Sequence, residues 1–421
     1  MDIAETYRRR KDDPVWNTSY PLSPADWQRY RSEGALPFEG EKELSFYIHI
    51  PFCRQLCSFC EYMRMPCPDP SLQDAYLGTV LSDIRRFKAA HPGLSLRGLD
   101  IGGGTPTALS EGGFQRLMEV YGHAIDGMPL SDDYEPSIEG TFATLSQDKL
   151  EAMARSGIRR LSLGIQSTDS EVLRRHHRMG HETAAMQGWM EKAWKAGIGK
   201  VNLDLMYGLK GQSPETIGKD LEAIARLQPQ QVTLYEIRTN MIAGKDVPEK
   251  AVLYQQYRRY FEGLLHLGYK ARFGENAFSL DASDRGLSSY LRSRMLEGVS
   301  YRGFGIAAQS MSRSGIAYNV GKGGRDLGGL LTLKGYGCAD TYLLPKEELA
   351  SKYIAISAYN GSLSLARVTD ILGEDALTAY REEVDFCLGE GLLANDGDRL
   401  VITEKGFEHY GAVFSLFYSR P

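Results

Sequence analysis

Between residues 44 and 240, short β-rich runs alternate with helical patterns, and this alternation restricts the fold more than any other feature of the chain. The runs "FYIHI" (46–50), "LRGLDI" (96–101), "PSIEG" (136–140), "RRLSLGIQS" (159–167), "KVNLDLMYG" (200–208) and "QVTLYEI" (231–237) read as strands. Between them lie candidate crossover helices. Leu72, Tyr76, Val80, Ile84 and Phe87 share one helical face, with Asp83, Arg85 and Lys88 elsewhere. "QDKLEAMARSG" ends at Gly157, and "SPETIGKDLEAIARL" opens on a Ser-Pro start signal. A strand that returns parallel to its predecessor needs a crossover of helical length, whereas an antiparallel return needs only a turn. Six such alternations therefore predict an α/β fold on a parallel sheet, open or curled into a partial barrel, with ligands at the carboxyl ends of the strands.

The flanks differ. Residues 1–40, charged and carrying Pro14, Pro21, Pro24 and Pro37, are expected to form an irregular N-terminal arm to the 41–250 unit. Residues 251–350 show fewer clear periods and many glycines, as in "GVSYRGFGIAAQS" and "NVGKGGRDLGGL", and read as an extension of that unit. In residues 351–421, helical patterns precede "LVITEKG" after an Asn395-Asp396-Gly397-Asp398 turn, which suggests a small winged-helix-like domain. No basic recognition helix accompanies it, and 49 Lys and Arg against 54 Asp and Glu leave no general field for nucleic acid or anionic lipid. The apolar runs are too short to span a bilayer, and "MDIAETYRRRKDDPVW" lacks the apolar core of a secretory signal. The expectation is a cytoplasmic protein without nucleic-acid or membrane partners.

Three of the six cysteines fall in "FYIHIPFCRQLCSFCEY" (46–62), at Cys53, Cys57 and Cys60, with the spacing C-x3-C-x2-C. A disulfide framework would spread pairs through a small secreted domain. Structural zinc takes four donors in two separated pairs. A tight loop after a strand, with three soft thiolates, suits an iron-sulfur cluster; three donors leave one iron of a four-iron cluster open for an exogenous chelator. Cys67 is a further candidate ligand without regular spacing, and buried or surface thiols are the plain alternative. His176, His177 and His181 sit on a polar helical stretch and rank low as a metal site. Gly102, Gly103, Gly104 and Thr105 follow a strand, where absent side chains admit a ligand close to the backbone. No Lys follows in P-loop spacing and G-x-G-x-x-G is absent, which disfavours nucleoside triphosphate and dinucleotide sites.

The cysteine run with Phe59 before its last member resembles the cluster loop of the radical S-adenosylmethionine enzymes. More narrowly, "YIHIPFC", "GGGTPT", "IRRLSLGIQS", "RRHHRMGH" and "VNLDLMYGLKGQ", in that order, resemble the branch of oxygen-independent coproporphyrinogen III dehydrogenases and heme chaperones. The resemblance implies a 4Fe-4S cluster on Cys53, Cys57 and Cys60, and S-adenosylmethionine chelated to the open iron and split to a 5′-deoxyadenosyl radical. It implies that Gly103, Gly104 and Thr105 contact the cofactor's ammonium, that Glu139 binds its amine or ribose, and that Tyr47 and Phe59 pack by the cluster. Gln166, Arg178 and Asp204 match positions for a second S-adenosylmethionine, so one or two molecules are expected. His49 is expected to support the loop; Glu275 and Asn276 stand where the family has a polar motif near the site. Flavodoxin or ferredoxin is the usual electron donor.

The chain also departs from that branch. Tyr62 stands where the dehydrogenases carry a further cysteine, "DRGLSSYLRSRML" does not reproduce the chaperones' Asn-x-x-Tyr-Trp, and "EGTFAT" replaces an acid followed by Ala-Asn-Pro. The expected function is a radical oxidoreductase or methyltransferase acting on a tetrapyrrole or another large ring, by oxidation or by methyl or methylene transfer. The alternative is a chaperone-like carrier holding cluster and heme without radical turnover. A redox-sensing winged-helix regulator is a third class, disfavoured by the net charge of −5.

Overall fold

The computed structural model describes residues 2–12, 20–237, 246, 248–322 and 327–418; Pro14 and part of the glycine-rich run, 323–326, lie outside these. Six strands, β1 (Glu43–Ile50), β2 (Ser95–Gly103), β3 (Ser137–Gly140), β4 (Arg160–Gln166), β5 (Lys200–Tyr207) and β6 (Gln231–Glu236), pair in parallel in the order of the sequence. The main helices between them are α1 (Pro70–Ala90), α2 (Glu111–Ile125), α3 (Gln147–Arg155), α4 (Thr183–Ala196) and α5 (Pro214–Leu227), with a short helical turn at Ser170–Arg175 ahead of α4. Their ends follow local chemistry. Asp69 accepts from the Ser71 and Leu72 amides ahead of Pro70, Ser213 and Thr216 form a reciprocal cap on α5, and α3 gives way to Gly157 at φ +84°.

Neighbours in sequence order joined by right-handed crossovers carry all their helices on one face of the sheet. Alternation along the strands then sorts the side chains. Phe46, Ile48, Leu99, Ile101, Ile138, Leu161, Leu163, Val201, Leu203, Val232 and Leu234 share one core with Tyr76, Val80, Ile84, Leu117 and Ile224 of the helices. Each contributes roughly 1.5–3 kcal/mol by leaving water. The intervening positions form a polar face: Tyr47 is in register with Asp100, Asp100 with Ser137, Ser137 with Arg160 and Arg160 with Lys200. Nearer the carboxyl ends, Glu139 aligns with Ser162, Gly164 with Asp204 and Asp204 with Thr233.

After α6 (Lys250–His266), β7 (Ala277–Ser279) adds antiparallel to β6. The short helix α7 (Ser289–Met295) then packs on the polar face near the amino ends. Tyr290 stacks on Tyr47 with centroids 5.6 Å apart, Ser288 donates to Asp100 at 2.6 Å, and the Ser293 and Ser45 hydroxyls meet at 2.7 Å. A Cβ on Gly98 would lie 2.3 Å from the Tyr290 amide nitrogen, so glycine is required where helix and strand cross. On the other side of β1 lie β8 (Tyr301–Phe304), parallel to it, and then the antiparallel β9 (Gln309–Ser312), β10 (Gly315–Asn319) and β11 (Cys338–Leu343). Arg31–Ser32 completes this twelve-stranded sheet, and among the described residues no pairing joins its two ends.

The N-terminal segment is more regular than its charges and prolines suggest, with a helix at Ile3–Asp12 and a 3-10 turn at Pro24–Tyr30. Long-range contact explains the difference: Tyr20 and Trp27 donate to the buried Glu348. A separate C-terminal region comprises α8 (Lys346–Ser357), further helices at Leu365–Leu372 and Arg381–Gly389, and a three-stranded antiparallel sheet. Its hairpin, Leu393–Asp396 with Arg399–Ile402, turns at Gly397 with φ +64°. No described helix is long and apolar enough to cross a membrane.

Candidate active site

β1 delivers the chain at Ile50 to a loop closed by pairing of Phe52–Cys53 with Met65–Pro66. Cys53 and Cys57 are buried and Cys60 half-buried, all three as free thiols that interact electrostatically with one another. Arg64 ties the loop to itself, donating to the carbonyls of Cys60 and Cys57 at 2.6 Å each. His49 donates from Nε2 to the Met63 carbonyl at 3.0 Å; burial lowers its pKa to about 4, so the ring is neutral at physiological pH. His176 accepts from the Lys210 amide at Nε2, 3.0 Å, which leaves Nδ1–H to donate to Ser58 at 3.1 Å. Phe59 packs against the His176 ring, centroids 5.6 Å apart. Cys57, Phe59, Val172, Met206, Leu209 and Ile237 form an apolar cluster of their own that keeps water from this side of the loop.

Cys67 is turned away from the other thiols: it donates to the Ala108 carbonyl at 3.3 Å and accepts from Gln73 at 3.4 Å. His176 is occupied as a buttress, and His181 packs on Phe142. Among the described residues no group of three His, Cys, Asp or Glu side chains is drawn together as it would be around a single metal ion. Thiolates at three corners of a four-iron cube stand further apart than donors to one ion. Burial pushes the Cys53 thiol up to about 11 and raises that of Cys60, so metal loading must displace protons.

The glycine turn after β2 lies against this loop. The Gly104 amide donates to Ile50 at 2.8 Å, the Thr105 amide to Phe52 at 2.7 Å, and the Thr105 hydroxyl reaches Cys53 Sγ at 3.7 Å. Added Cβ atoms would come within 2.5 Å of the Glu139 carboxyl at Gly102, 2.4 Å of the His49 ring at Gly103 and 2.7 Å of the Phe52 carbonyl at Gly104. Only glycines let cysteine loop, turn and carboxylate approach this closely.

Glu139 accepts from the Gly103 amide at 3.1 Å. Burial, reinforced by the charge of Asp204, pushes its pKa up to about 8. Asp204, also raised by burial, is held by Ser162 at 3.1 Å and Asn202 at 2.7 Å. Neither carboxyl has a cationic partner in contact among the described residues. Gln166 closes β4 at a bulge with φ +66°, and its buried Oε1 has no donor. Arg178 donates to the Gly164 carbonyl and, at 3.3 Å, to Cys57 Sγ. Tyr47 lines the same face, its hydroxyl kept protonated by burial.

The structure thus gathers Cys53, Cys57, Phe59, Cys60, Gly103, Gly104, Thr105, Glu139, Gln166, Arg178 and Asp204 around the carboxyl ends of the parallel strands, with Tyr47 deeper on the same polar face, in register with Asp100 and stacked on Tyr290. Glu275 is bound by Arg272 and Arg285, and the Asn276 main-chain carbonyl accepts from Leu234 on β6 while its buried side-chain Oδ1 has no donor. Arg64, Ser162 and Asn202 were missed by sequence reasoning; Arg64, four residues beyond Cys60, is the one that loop spacing alone would have suggested. The donor set fits the implied groups. Three thiols on a shielded loop are a donor set that an iron-sulfur centre would accept. Two buried carboxyls with no cation in contact, beside an acceptor without a donor, suit a cationic ligand bearing amine and hydroxyl hydrogens.

Comparison with known proteins agrees with this donor set. A model of the radical SAM superfamily matches residues 47–224. The heme chaperone HemW of Lactococcus lactis is 26% identical over 401 residues, 90% of this chain and 98% of that protein. An oxygen-independent coproporphyrinogen III oxidase of Bradyrhizobium diazoefficiens is 27% identical over 429 residues, 91% of this chain and 90% of that one. Among solved structures, coproporphyrinogen III oxidase (HemN) from Escherichia coli superposes with a TM-score of 0.76 at 22% identity, over 96% of this chain and 97% of that chain, a likeness of fold. Kinship with the oxidases supports catalytic, oxidoreductase activity. The chain is a member of the radical SAM superfamily, closely related to its coproporphyrinogen III oxidase and heme chaperone branch.

Proposed function

We propose that this protein is a radical enzyme that cleaves S-adenosylmethionine at a 4Fe-4S cluster held by Cys53, Cys57 and Cys60, and acts on a tetrapyrrole or another large ring. The observation that carries the reading is that the three-thiol loop packs on the glycine turn whose Gly103 amide holds Glu139, one of two buried carboxyls with no cation in contact. When bound, the cluster supplies the electron that splits the sulfonium and so yields the 5′-deoxyadenosyl radical.

The chain's own residues bind, orient and exclude water. Gly103 to Thr105 offer close backbone approach, and Glu139 takes an ammonium or a ribose hydroxyl by charge-assisted hydrogen bonds. Met206, Leu209 and Phe59 keep water from the thiols. Gln166, Arg178 and Asp204 serve a second S-adenosylmethionine, as methyl or methylene donor or as accessory to oxidation. In this reading the six parallel strands form a partial barrel and the C-terminal region is winged-helix-like without a nucleic-acid role. Leu56, Tyr62 and Met179 are 42%, 58% and 64% exposed. They form an apolar rim by the loop, where Met179 is tied to Gln55, suited to a large flat substrate. A flavodoxin or ferredoxin delivers the electrons.

Anaerobic reconstitution with iron and sulfide, followed by dithionite, S-adenosylmethionine and a panel of porphyrins and porphyrinogens, tests the reading. The expected products are 5′-deoxyadenosine and, where methyl transfer operates, S-adenosylhomocysteine. Failure to form 5′-deoxyadenosine with any substrate overturns it. The alignment with a heme chaperone along nearly its whole length favours a second reading, a carrier of cluster and heme without turnover. Tight heme binding with no cofactor cleavage would select that one.

A further inference from the structure

We propose that a second ligand site, for a small organic carboxylate with an apolar body, lies between the strand extension and the C-terminal region. A cavity of about 220 Å³ opens there, away from the cysteine loop. Its apolar wall comes from Met311 on β9 and from Leu349, Tyr353 and Ile356, which follow one face of α8. Four cations, Arg294, Arg313, Lys346 and Arg367, line it against a single carboxylate, Asp370.

Two of these cations are already engaged. Arg313 pairs with Glu41 at 3.6 Å. Arg367 bonds Asp370 and, at 2.8 Å, the Gly298 carbonyl. Gly298 has φ +64°, and a Cβ there would come within 2.6 Å of Arg367 Nε, so the backbone is shaped to seat the guanidinium. Arg294 and Lys346 have no carboxylate partner among the described residues. The Arg294 guanidinium lies 4.8 Å over the Tyr301 ring and bonds the hydroxyls of Tyr290 and Tyr301, with Gln309 as a distant acceptor at 3.5 Å. Nε of both Arg294 and Arg367 is buried without any acceptor.

Buried N–H groups rarely stay unpaired, because each costs about 1–3 kcal/mol. A ligand that supplies only acceptors and negative charge answers both needs, and a carboxylate does so in the geometry that guanidinium groups favour. An amide or alcohol would bring hydrogens to a wall that offers mostly donors. The apolar wall asks for a hydrocarbon or aromatic body rather than a bare ion. The volume falls below the roughly 300–1,000 Å³ of pockets for drug-sized ligands. The site is therefore distinct from one that takes a tetrapyrrole, and the inference does not depend on the proposed radical chemistry.

Calorimetric titration of the full chain with 3-phenylpropionate, 3-phenylpropionamide and inorganic phosphate tests it. The acid is expected to bind one per chain, with the amide and phosphate each at least about tenfold weaker. Lys346→Gln, at an exposed position, should weaken the acid about fivefold. Met311→Trp, which fills the cavity, should abolish binding, with Ile371→Phe as a second filling variant. Cys57→Ala should bind the acid as the unaltered chain does. Equal affinity for acid and amide, phosphate as tight as the acid, absence of saturable binding, or indifference to Lys346→Gln together with a folded filling variant would overturn the proposal.

Discussion

Arg160 and Glu139 lie on the same face of adjacent strands, one at the amino end of β4 and the other near the carboxyl end of β3, and their surroundings are opposite in kind. Arg160 donates to Gln231 at 2.7 Å and to Ser137 at 2.9 Å. Gln231 in turn donates to Asp284 at 2.7 Å, and Lys200 bridges Asp284 and Glu135 at 3.0 Å each. With α7 packed beside it, Arg160 sits in a closed network, although Oδ1 of Asp100 next to that helix is left without a donor. Glu139 has one amide donor and a carboxyl pushed up to about 8, near an Asp204 carboxyl that burial also raises despite its Ser162 and Asn202 donors, and near an orphaned Gln166 oxygen. A satisfied buried network rigidifies a fold, whereas polar groups left short of partners at the other end of the same strands mark where a ligand completes the structure.

The sharpest way to break this contrast is Cys57→Ala. It should abolish cluster absorption and all S-adenosylmethionine cleavage after anaerobic reconstitution while the apoprotein keeps its melting temperature, because the closed end is untouched. Retention of either activity or absorption would remove the cysteine assignment. Next in size, Gly104→Val places a side chain where even a Cβ lies 2.7 Å from the Phe52 carbonyl, and backbone must move. Cleavage should fall by at least about tenfold with the overall fold intact.

Arg178→Ala sharpens the open end: cluster content and uncoupled cleavage should persist while product formation falls about tenfold. Unchanged turnover would argue against a second cofactor there. At the closed end, Arg160→Met should cost about 2–3 kcal/mol in denaturant unfolding, since it strands Gln231 and Ser137, yet leave cluster loading as it was. Loss of loading in that variant would mean the two ends are not separable.

The smallest effect concerns pH. Between 4.5 and about 8, Glu139 holds a proton in the native apoprotein that the unfolded chain has released. Its contribution therefore makes stability fall as pH rises through that window. Glu139→Gln removes this dependence, and its melting midpoint relative to the unaltered apoprotein should rise from pH 5 to pH 8. Parallel curves would show that the carboxyl is not held protonated.

The parallel strands were legible because each carries apolar residues for the helical face at a period of two, within a run too short for a helix. Ser213-Pro214 and the face through Tyr76, Val80 and Ile84 announced α5 and α1 for equally local reasons. The N-terminal segment was not legible, since Tyr20 and Trp27 are ordered by Glu348, more than 300 positions away. At the site, the thiols and glycines were readable from spacing, but the roles of their supports were not. His176 buttresses Ser58 from 118 residues downstream. Cys67, equally plausible by proximity in the chain, is drawn aside by Ala108 and Gln73. The serines of α7 carry no signal of their own; they matter because Ser45, Asp100 and Gly98 leave room for them.

The order of strands and helices, the three-thiol loop and the glycine turn were determined by the sequence alone, because each rests on periodicity or on contacts within a few residues. Which polar groups are closed off and which remain open was decided only by the tertiary structure. Hydrogen-bond satisfaction depends on partners delivered by distant segments, and no local pattern reports whether they arrive.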